Sequence, residues 1–296
     1  MHVFVTGASG FVGSAVVNEL LSAGHTVLGL VRSEIAFQKL QDMGAEVQLG
    51  DVNDLETIKK CAIRCDAVIH TAFNHDFSKF KANCEADRLV IEALGDALAG
   101  TEKPLVVTSG IGLLRYDRLL TEDDKPAVSS EVLPRVATEE ASAVAAAKGV
   151  NVYIVRLPPT VHGHGDHGFI SILIGMAKTN GRSAFIGDGQ NRWPAVHRLD
   201  AAKVYRLIVE KQPKQKVFHA VAEEGITFKD IAERIGKGIQ LPTEGLEGAD
   251  AEKHFSWFLH FASINCASSS QKTYTILDWK PTQVGLLEDI QIAYIV

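Results

Sequence analysis

A glycine turn close to the amino terminus limits what this chain can fold into. His2–Val5 is a short apolar run of strand type, and it breaks directly into Thr6-Gly7-Ala8-Ser9-Gly10-Phe11-Val12-Gly13. A helical pattern follows, with Phe11, Val12, Ala15, Val16, Leu20 and Leu21 on one face. Gly24-His25 stops that helix, and Thr26–Val31 reads as a second buried strand. Strand, glycine turn, helix and strand make one βαβ unit with the glycines at its first turn. In such a unit Gly7 permits the tight turn, Gly10 leaves room for a pyrophosphate, and Gly13 lets the helix pack close to the sheet. The helix start then offers unpaired N–H groups and a positive dipole end to phosphate. The Gly-x-x-Gly-x-x-Gly spacing differs from the commonest Gly-x-Gly-x-x-Gly, but the strand before it and the helix after it are the context such a motif demands.

The end of the second strand bears on the choice of nucleotide. An acidic residue there would hold an NAD ribose. The chain has Leu30-Val31-Arg32-Ser33 instead. Arg32 suits a 2′-phosphate and stacking on adenine, and Ser33 can donate to the same phosphate. The reading is NADP(H) in preference to NAD(H), with a solvated loop arginine as the alternative.

With 296 residues the chain is long enough for one large domain, or a domain with a smaller attachment. A formal charge of −6 and the absence of any basic tract point away from nucleic acid and from membrane surfaces. No apolar run is long enough to span a bilayer, and a first strand at residue 2 leaves no room for a signal peptide. Cys61, Cys65, Cys84 and Cys266 lack metal-site spacing and read as reduced thiols of a cytoplasmic protein, so no metal is expected.

Further strand signals fall at 45–49, 66–70, 104–108 and 150–155, alternating with helical patterns at 34–43, 54–62, 77–98 and 131–148. Six strands alternating with helices argue an α/β fold, a Rossmann doubly wound parallel sheet with helices on both faces. Residues 1–160 are expected to form the nucleotide-binding domain, completed by about 195–221. Segments 161–194 and 222–296, mostly short helices and loops, are expected to form a small C-terminal substrate lobe over the strand ends.

Thr6–Gly13, Gly50-Asp51-Val52 and Arg156-Leu157-Pro158-Pro159 resemble the short-chain dehydrogenase/reductase superfamily. Val196-His197-Arg198-Leu199-Asp200 is similar to its extended members of the NAD-dependent epimerase/dehydratase type. The resemblance implies a nicotinamide cofactor. On it, Ser9, Phe11 and Val12 join the three glycines at the cofactor, with Asp51 and Val52 at the adenine. Thr71, Ala72 and Phe73 serve it from the end of the fourth strand, and Thr108, Pro158 and Val161 from the fifth and sixth. Asp51 has a turn or helix cap as its alternative role. The resemblance also makes helices 76–98 and 131–148 candidates for pairing across a homodimer axis.

The family's chemistry rests on a Tyr-x-x-x-Lys pair, in which a tyrosine exchanges a proton with the substrate oxygen and the lysine lowers its pKa. None of the five tyrosines here has lysine four residues on. The family pattern instead places Arg135 at the tyrosine and Glu139 at the lysine, with Ser109 beside the usual serine position. The proton donor must therefore be another group. Ser109, Arg135 and His75, with Asp76 as an orienting acid or simply a helix cap, stand at strand carboxyl ends. His162, His164, Asp166 and His167 form a polar cluster past the sixth strand, from which His167 is the candidate donor. Arg192 and Trp193 are candidates to line the lobe.

Three functions follow as expectations. The first is an NADP(H)-dependent oxidoreductase acting on a carbonyl or alcohol of a small molecule. The second is a redox-neutral isomerase, epimerase or dehydratase, for which the chain is short if the substrate is a sugar nucleotide. The third is a catalytically silent NADP(H)-binding sensor.

Overall fold

Apolar runs too short for helices and bounded by glycine or polar turns pair here into one sheet buried on both faces. The structure is a computed structural model and describes residues 1–294. Its strands are β1 (His2–Thr6), β2 (Thr26–Val31), β3 (Glu46–Leu49), β4 (Ala67–His70), β5 (Pro104–Gly110), β6 (Asn151–Leu157), β7 (Thr160–His162), β8 (Ser183–Ile186), β9 (Arg192–His197), β10 (Val217–His219), β11 (Glu223–Thr227) and β12 (Thr243–Leu246). The main helices are α1 (Phe11–Ser22), α2 (Glu34–Asp42), α3 (Leu55–Arg64), α4 (Phe80–Leu98), α5 (Ala137–Ala147), α6 (Phe169–Asn180), α7 (Arg198–Lys211) and α8 (Phe228–Ile239).

Seven strands form a parallel sheet in the order β3-β2-β1-β4-β5-β6-β10. Strand order reverses between β1 and β4, and the crevice beyond the carboxyl ends at such a reversal is where open α/β sheets bind ligands. Val3, Val5, Ile69 and Val106 face the side covered by α1 and α7. Phe4, Val68, Leu105 and Val107 face α3, α4 and α5. Helices α4 and α5 touch at Gly95, where an added Cβ would lie 2.8 Å from the Ala145 Cβ. Among the described residues no helix is long and apolar enough to cross a membrane, and all four cysteines are free and buried.

After β6 the chain leaves the sheet. Strands β11, β9 and β7 form a three-stranded sheet, while β12 and β8 pair in parallel. Between these elements lies a second core rich in aromatic residues. Trp193 belongs to this core rather than to a substrate surface. It is fully buried, 4.8 Å from the Phe228 ring, with its indole N–H donating to Ile264 O at 3.1 Å.

The C-terminal region holds more regular structure than short helices and loops, namely β11, α8 and β12. The helix expected over 131–148 is also shorter. Pro134 opens a 3-10 turn over Pro134–Val136, and α5 begins only at Ala137. Proline disfavours helical geometry in the residue before it, and Leu133 is extended at φ −125°, ψ 94°.

Candidate active site

The crevice opens at the glycine turn. Gly7 has φ +68°, and a Cβ there would lie 2.7 Å from the Ala72 backbone nitrogen on the neighbouring strand's extension. A Cβ on Gly13 would lie 2.0 Å from Gly7 O, so only glycine lets α1 start this close to the turn. Gly10 N–H donates to Gly7 O at 2.8 Å, which tightens the turn. The first turn of α1 has no side-chain cap and no acidic residue. Its leading N–H groups therefore lack a local partner, the situation an anion at a helix start resolves. Two groups distant in sequence flank Phe11 at this place. The Arg198 guanidinium, at the first residue of α7, lies 4.9 Å from its ring centroid. The His167 ring is edge-on at 6.1 Å. Uncapped amides, absent side chains and an arginine together fit the diphosphate of a dinucleotide.

At the end of β2, Arg32 is exposed and makes no ion pair among the described residues. Ser33 caps α2, its Oγ accepting from Ala36 N–H at 3.3 Å. Asp51 Oδ1 accepts from the Asn53 backbone and side chain at 2.8 Å each, so its carboxylate shapes a turn. Val52 packs on the α3–α4 side. Thr71 Oγ1 donates to Thr6 O at 2.7 Å, which seats the Thr71-Ala72-Phe73 segment across the turn. Pro158 is buried, and Val161 lies in β7 opposite Val196.

A buried polar chain runs from β1 to the crevice. Thr6 Oγ1 is bonded to His70 Nδ1 at 2.7 Å, and His70 Nε2 donates to Asp87 Oδ1 at 3.0 Å. Asp87 Oδ2 accepts from Arg135 Nη1 at 2.7 Å and from Thr138 Oγ1 at 2.5 Å. Burial alone would favour the protonated acid. The Arg135 charge, with the His70 and Thr138 hydrogen bonds, outweighs it and holds the Asp87 carboxyl well below the usual carboxylate range. Arg135 Nη2 donates to Thr108 O at 3.1 Å, and its guanidinium lies 4.0 Å over the Phe73 ring. Arg135 is thus fixed beyond the ends of β4 and β5.

His75 stands next to this group, its ring 5.2 Å from Phe73. Desolvation lowers its pKa, and the positive charges of Arg135 and His167 lower it further. The expected partner Asp76 does not orient it. Asp76 Oδ1 accepts from Ser78 N–H at 3.1 Å and from Ser78 Oγ at 2.5 Å, and so caps the turn Phe77–Lys79. Arg135 and His75 therefore meet at one contact, the Phe73 ring, while His167 stands at Phe11.

Ser109 lies apart from them. Its Oγ donates to Glu139 Oε1 at 2.8 Å. That carboxylate is held at both oxygens by Arg156, Nε to Oε1 and Nη2 to Oε2 at 2.8 Å each. Arg156 is 1% exposed and also donates to Asp124 O at 2.8 Å. Where the family has a lysine free to serve a cofactor, this chain has a glutamate committed to a buried ion pair. Strand alternation sends the preceding Thr108 to the other face, where its hydroxyl donates to His70 O at 2.8 Å and bonds the Tyr205 hydroxyl at 2.9 Å. Ser109 and Thr108 are thereby engaged inside the protein.

The histidine cluster divides as well. His162 is buried with Nδ1 bonded to Asp289 Oδ2 at 2.7 Å. Asp166 Oδ2 accepts from the Tyr294 hydroxyl at 2.8 Å. Both anchor the loop to the C-terminal segment, which leaves His167 facing Phe11. Among the described residues no group of side chains is arranged to hold a metal ion.

Asp87, His70 and Arg198 carry little functional signal of their own in the sequence. Asp87 and His70 join only through tertiary contact. Arg198 lay inside a quoted family motif, which was the available signal.

The chain matches the NAD(P)H-binding family model over residues 7–178. It is 47% identical to an uncharacterized protein of Schizosaccharomyces pombe across 98% of both chains. It is 26% identical to the sterol-4-alpha-carboxylate 3-dehydrogenase, decarboxylating, of Dictyostelium discoideum, over 77% of this chain and 73% of that one. Among solved structures, the UDP-glucuronic acid 4-epimerase from Bacillus cereus superposes with a TM-score of 0.75 at 18% identity, covering 99% of this chain and 98% of that one. The chain belongs to the NAD(P)H-binding family, and it has no Tyr-x-x-x-Lys pair.

Proposed function

We propose that the protein is an NADP(H)-dependent oxidoreductase that reduces the carbonyl group of a small molecule, or oxidises the corresponding alcohol, with Arg135 in place of the tyrosine. The observation that carries this reading is the guanidinium held by Asp87 and Thr108 O, stacked on Phe73, beside His75 at the sheet's reversal point. A guanidinium cannot give up a proton at working pH, but a fixed one stabilises charge developing on oxygen. The substrate carbonyl oxygen accepts from Arg135. Bound NADPH supplies the hydride. The resulting alkoxide takes a proton from His75, which is replenished from solvent through the open rim, with His167 as the neighbouring donor. Carbonyl, NADPH and one proton thus become alcohol and NADP+. The lowered pKa of His75 makes its protonated form a stronger acid, so reduction speeds up as pH falls toward that pKa.

The phosphate preference rests on Arg32, exposed at the end of β2 where an acidic residue would favour NAD. The likeness to a sterol dehydrogenase supports net redox turnover. Leu89 and Val144, exposed on α4 and α5 at 53% and 44%, support a homodimer through those helices, which light scattering would detect.

Titration calorimetry with NADPH and with NADH, followed by NADPH oxidation at 340 nm with a ketone panel, tests the reading. Arg32→Asp should weaken NADPH more than NADH, and Arg135→Ala should leave NADPH affinity near wild type while turnover falls about 100-fold. Equal losses for the two nucleotides would refute the phosphate role. Unchanged turnover in Arg135→Ala would refute the oxyanion role.

A further inference from the structure

An aromatic wall begins where Arg135 ends. Phe73 lies under the guanidinium, and the His75 ring follows at 5.2 Å from Phe73 and 6.2 Å from Phe77. Phe77 stacks on Trp257 at 5.3 Å with an interplanar angle of 26°. It also meets Phe261 at 5.2 Å and Phe169 at 6.0 Å. These rings come from three places: the segment after β4, the first residue of α6, and the helical turns 256–262 of the lobe. They meet between the nucleotide-binding sheet and the lobe, in front of the proposed oxyanion donor.

Trp257 differs from the other two tryptophans. Trp193 and Trp279 are buried, with their indole N–H groups bonded to Ile264 O and Asp200 O. Trp257 is 50% exposed and has no hydrogen-bond partner among the described residues. The residue before it, Ser256, adopts φ 47°, ψ −127°, which side-chain-bearing residues rarely accept. Strain of this kind persists where surrounding structure imposes it, and here it delivers Trp257 to the crevice. An exposed indole beside half-buried phenylalanine rings and a fixed polar group suits a ligand with a flat apolar body and one hydrogen-bond acceptor. A sugar nucleotide would need cationic or hydrogen-bonding side chains for its diphosphate and hydroxyls, and Phe77, Phe169, Trp257 and Phe261 offer only one indole N–H.

We propose that the substrate is an uncharged carbonyl compound with a flat aromatic or fused-ring body, its oxygen at Arg135 and its rings against Phe77, Trp257 and Phe261. This rests on the oxidoreductase reading for its chemistry and on the aromatic wall for its ligand class, and the two are separable by experiment.

Calorimetry on the protein saturated with NADP+ would compare 1-acetonaphthone, cyclohexanone and UDP-glucose. NADPH oxidation with both ketones would be followed in parallel. The expected result is that 1-acetonaphthone binds about tenfold or more tighter than cyclohexanone, and that UDP-glucose gives no heat. Trp257→Ala should lose about fivefold to tenfold in affinity for 1-acetonaphthone, and Trp257→Phe, which keeps a ring, should recover most of it. Absent or unselective binding of 1-acetonaphthone, binding of UDP-glucose, or wild-type affinity in Trp257→Ala would overturn the ligand class. Should Trp257→Ala fail to fold, the wild-type comparison and Trp257→Phe still decide. Selective 1-acetonaphthone binding without NADPH oxidation by either ketone would overturn the oxidoreductase reading and leave the ligand class standing.

Discussion

Glu139→Lys puts a lysine where the family pattern has one, and the buried ion pair at that place predicts that the change destabilises rather than repairs the protein. Glu139 faces Arg156 in a two-pronged ion pair, with side-chain exposures of 9% and 1%. Removing one member of a buried pair costs about 3–5 kcal/mol, because the remaining charge is left without a partner. Lysine adds a like charge against the guanidinium and takes away the acceptor of the Ser109 hydroxyl. At about 2.1 cal/mol/K of unfolding entropy per residue, 1 kcal/mol moves the Tm of a chain of this length by about 1.6 °C, so the pair alone predicts a fall of about 5–8 °C. Thermal melts followed by circular dichroism, with urea titration as a second measure, provide the assay. Arg156→Met combined with Glu139→Leu removes both charges together and should recover most of the loss. A Glu139→Lys protein that melts within 2 °C of wild type, to within about the error of such melts, would refute the reasoning. It would mean that Arg156 finds other partners. By the same logic the combination Arg135→Tyr with Glu139→Lys should gain no activity, since the new lysine would be repelled from its place by Arg156.

Three further outcomes are expected. Asp87→Asn keeps the shape of the buried chain but removes the charge that positions Arg135. It should lower kcat about tenfold or more with little change in NADPH affinity, and in stopped-flow reduction the loss should not be rescued by raising substrate. His219 is buried with its Nδ1–H donating to Ser269 O at 2.9 Å, and burial, then the adjacent Arg156, push its pKa down to about 3. A group depressed in the fold stabilises it above the ordinary histidine value and loses that contribution as pH falls. Urea titrations should therefore show about 2 kcal/mol lost to this site between pH 7 and pH 5, and His219→Gln should flatten that slope. Gly13→Ala places a methyl 2.0 Å from Gly7 O, which is backbone and cannot swing aside. It should cost about 1–3 kcal/mol by denaturation and abolish nucleotide binding in the fraction that folds.

The glycine turn, the parallel order of helices and strands, and the missing tyrosine–lysine pair were legible because each is local. A positive φ at Gly7 or a methyl-free Gly13 is demanded by backbone geometry within a dozen residues, and the sequence must declare it. The departures are non-local. Pro134 delays α5 because it acts on Leu133, yet the alanine-rich run beyond it hides the break in a hydrophobicity pattern. Strands β11 and β12 carry Glu223-Glu224-Gly225 and Thr243-Glu244-Gly245, which lack the alternation of a half-buried strand, and they exist because β9 and β8 offer them edges. Trp193 sits beside polar residues in sequence, but its indole is satisfied by a carbonyl 71 residues away.

The site shows the same division more sharply. Laying the family pattern on the helix locates Arg135 but says nothing of its surroundings, since an exposed helix arginine and a tethered one read identically in sequence. Asp87, 48 residues upstream, is what separates them. A lone aspartate on the buried side of α4 would be an uncompensated charge. Supplied with Arg135, His70 and Thr138, it becomes the central link of a chain that reaches from the first strand to the crevice. Ser109 and Glu139 make the converse case. The family pattern lays them beside its serine and at its lysine, and the structure bonds them to each other and to Arg156, a partnership that position alone does not show. On the proposed reading the oxyanion donor is a guanidinium that cannot release a proton, so the proton has to come from a neighbouring group. On that reading His75, beside Phe73 and under the influence of Arg135, is the proposed donor.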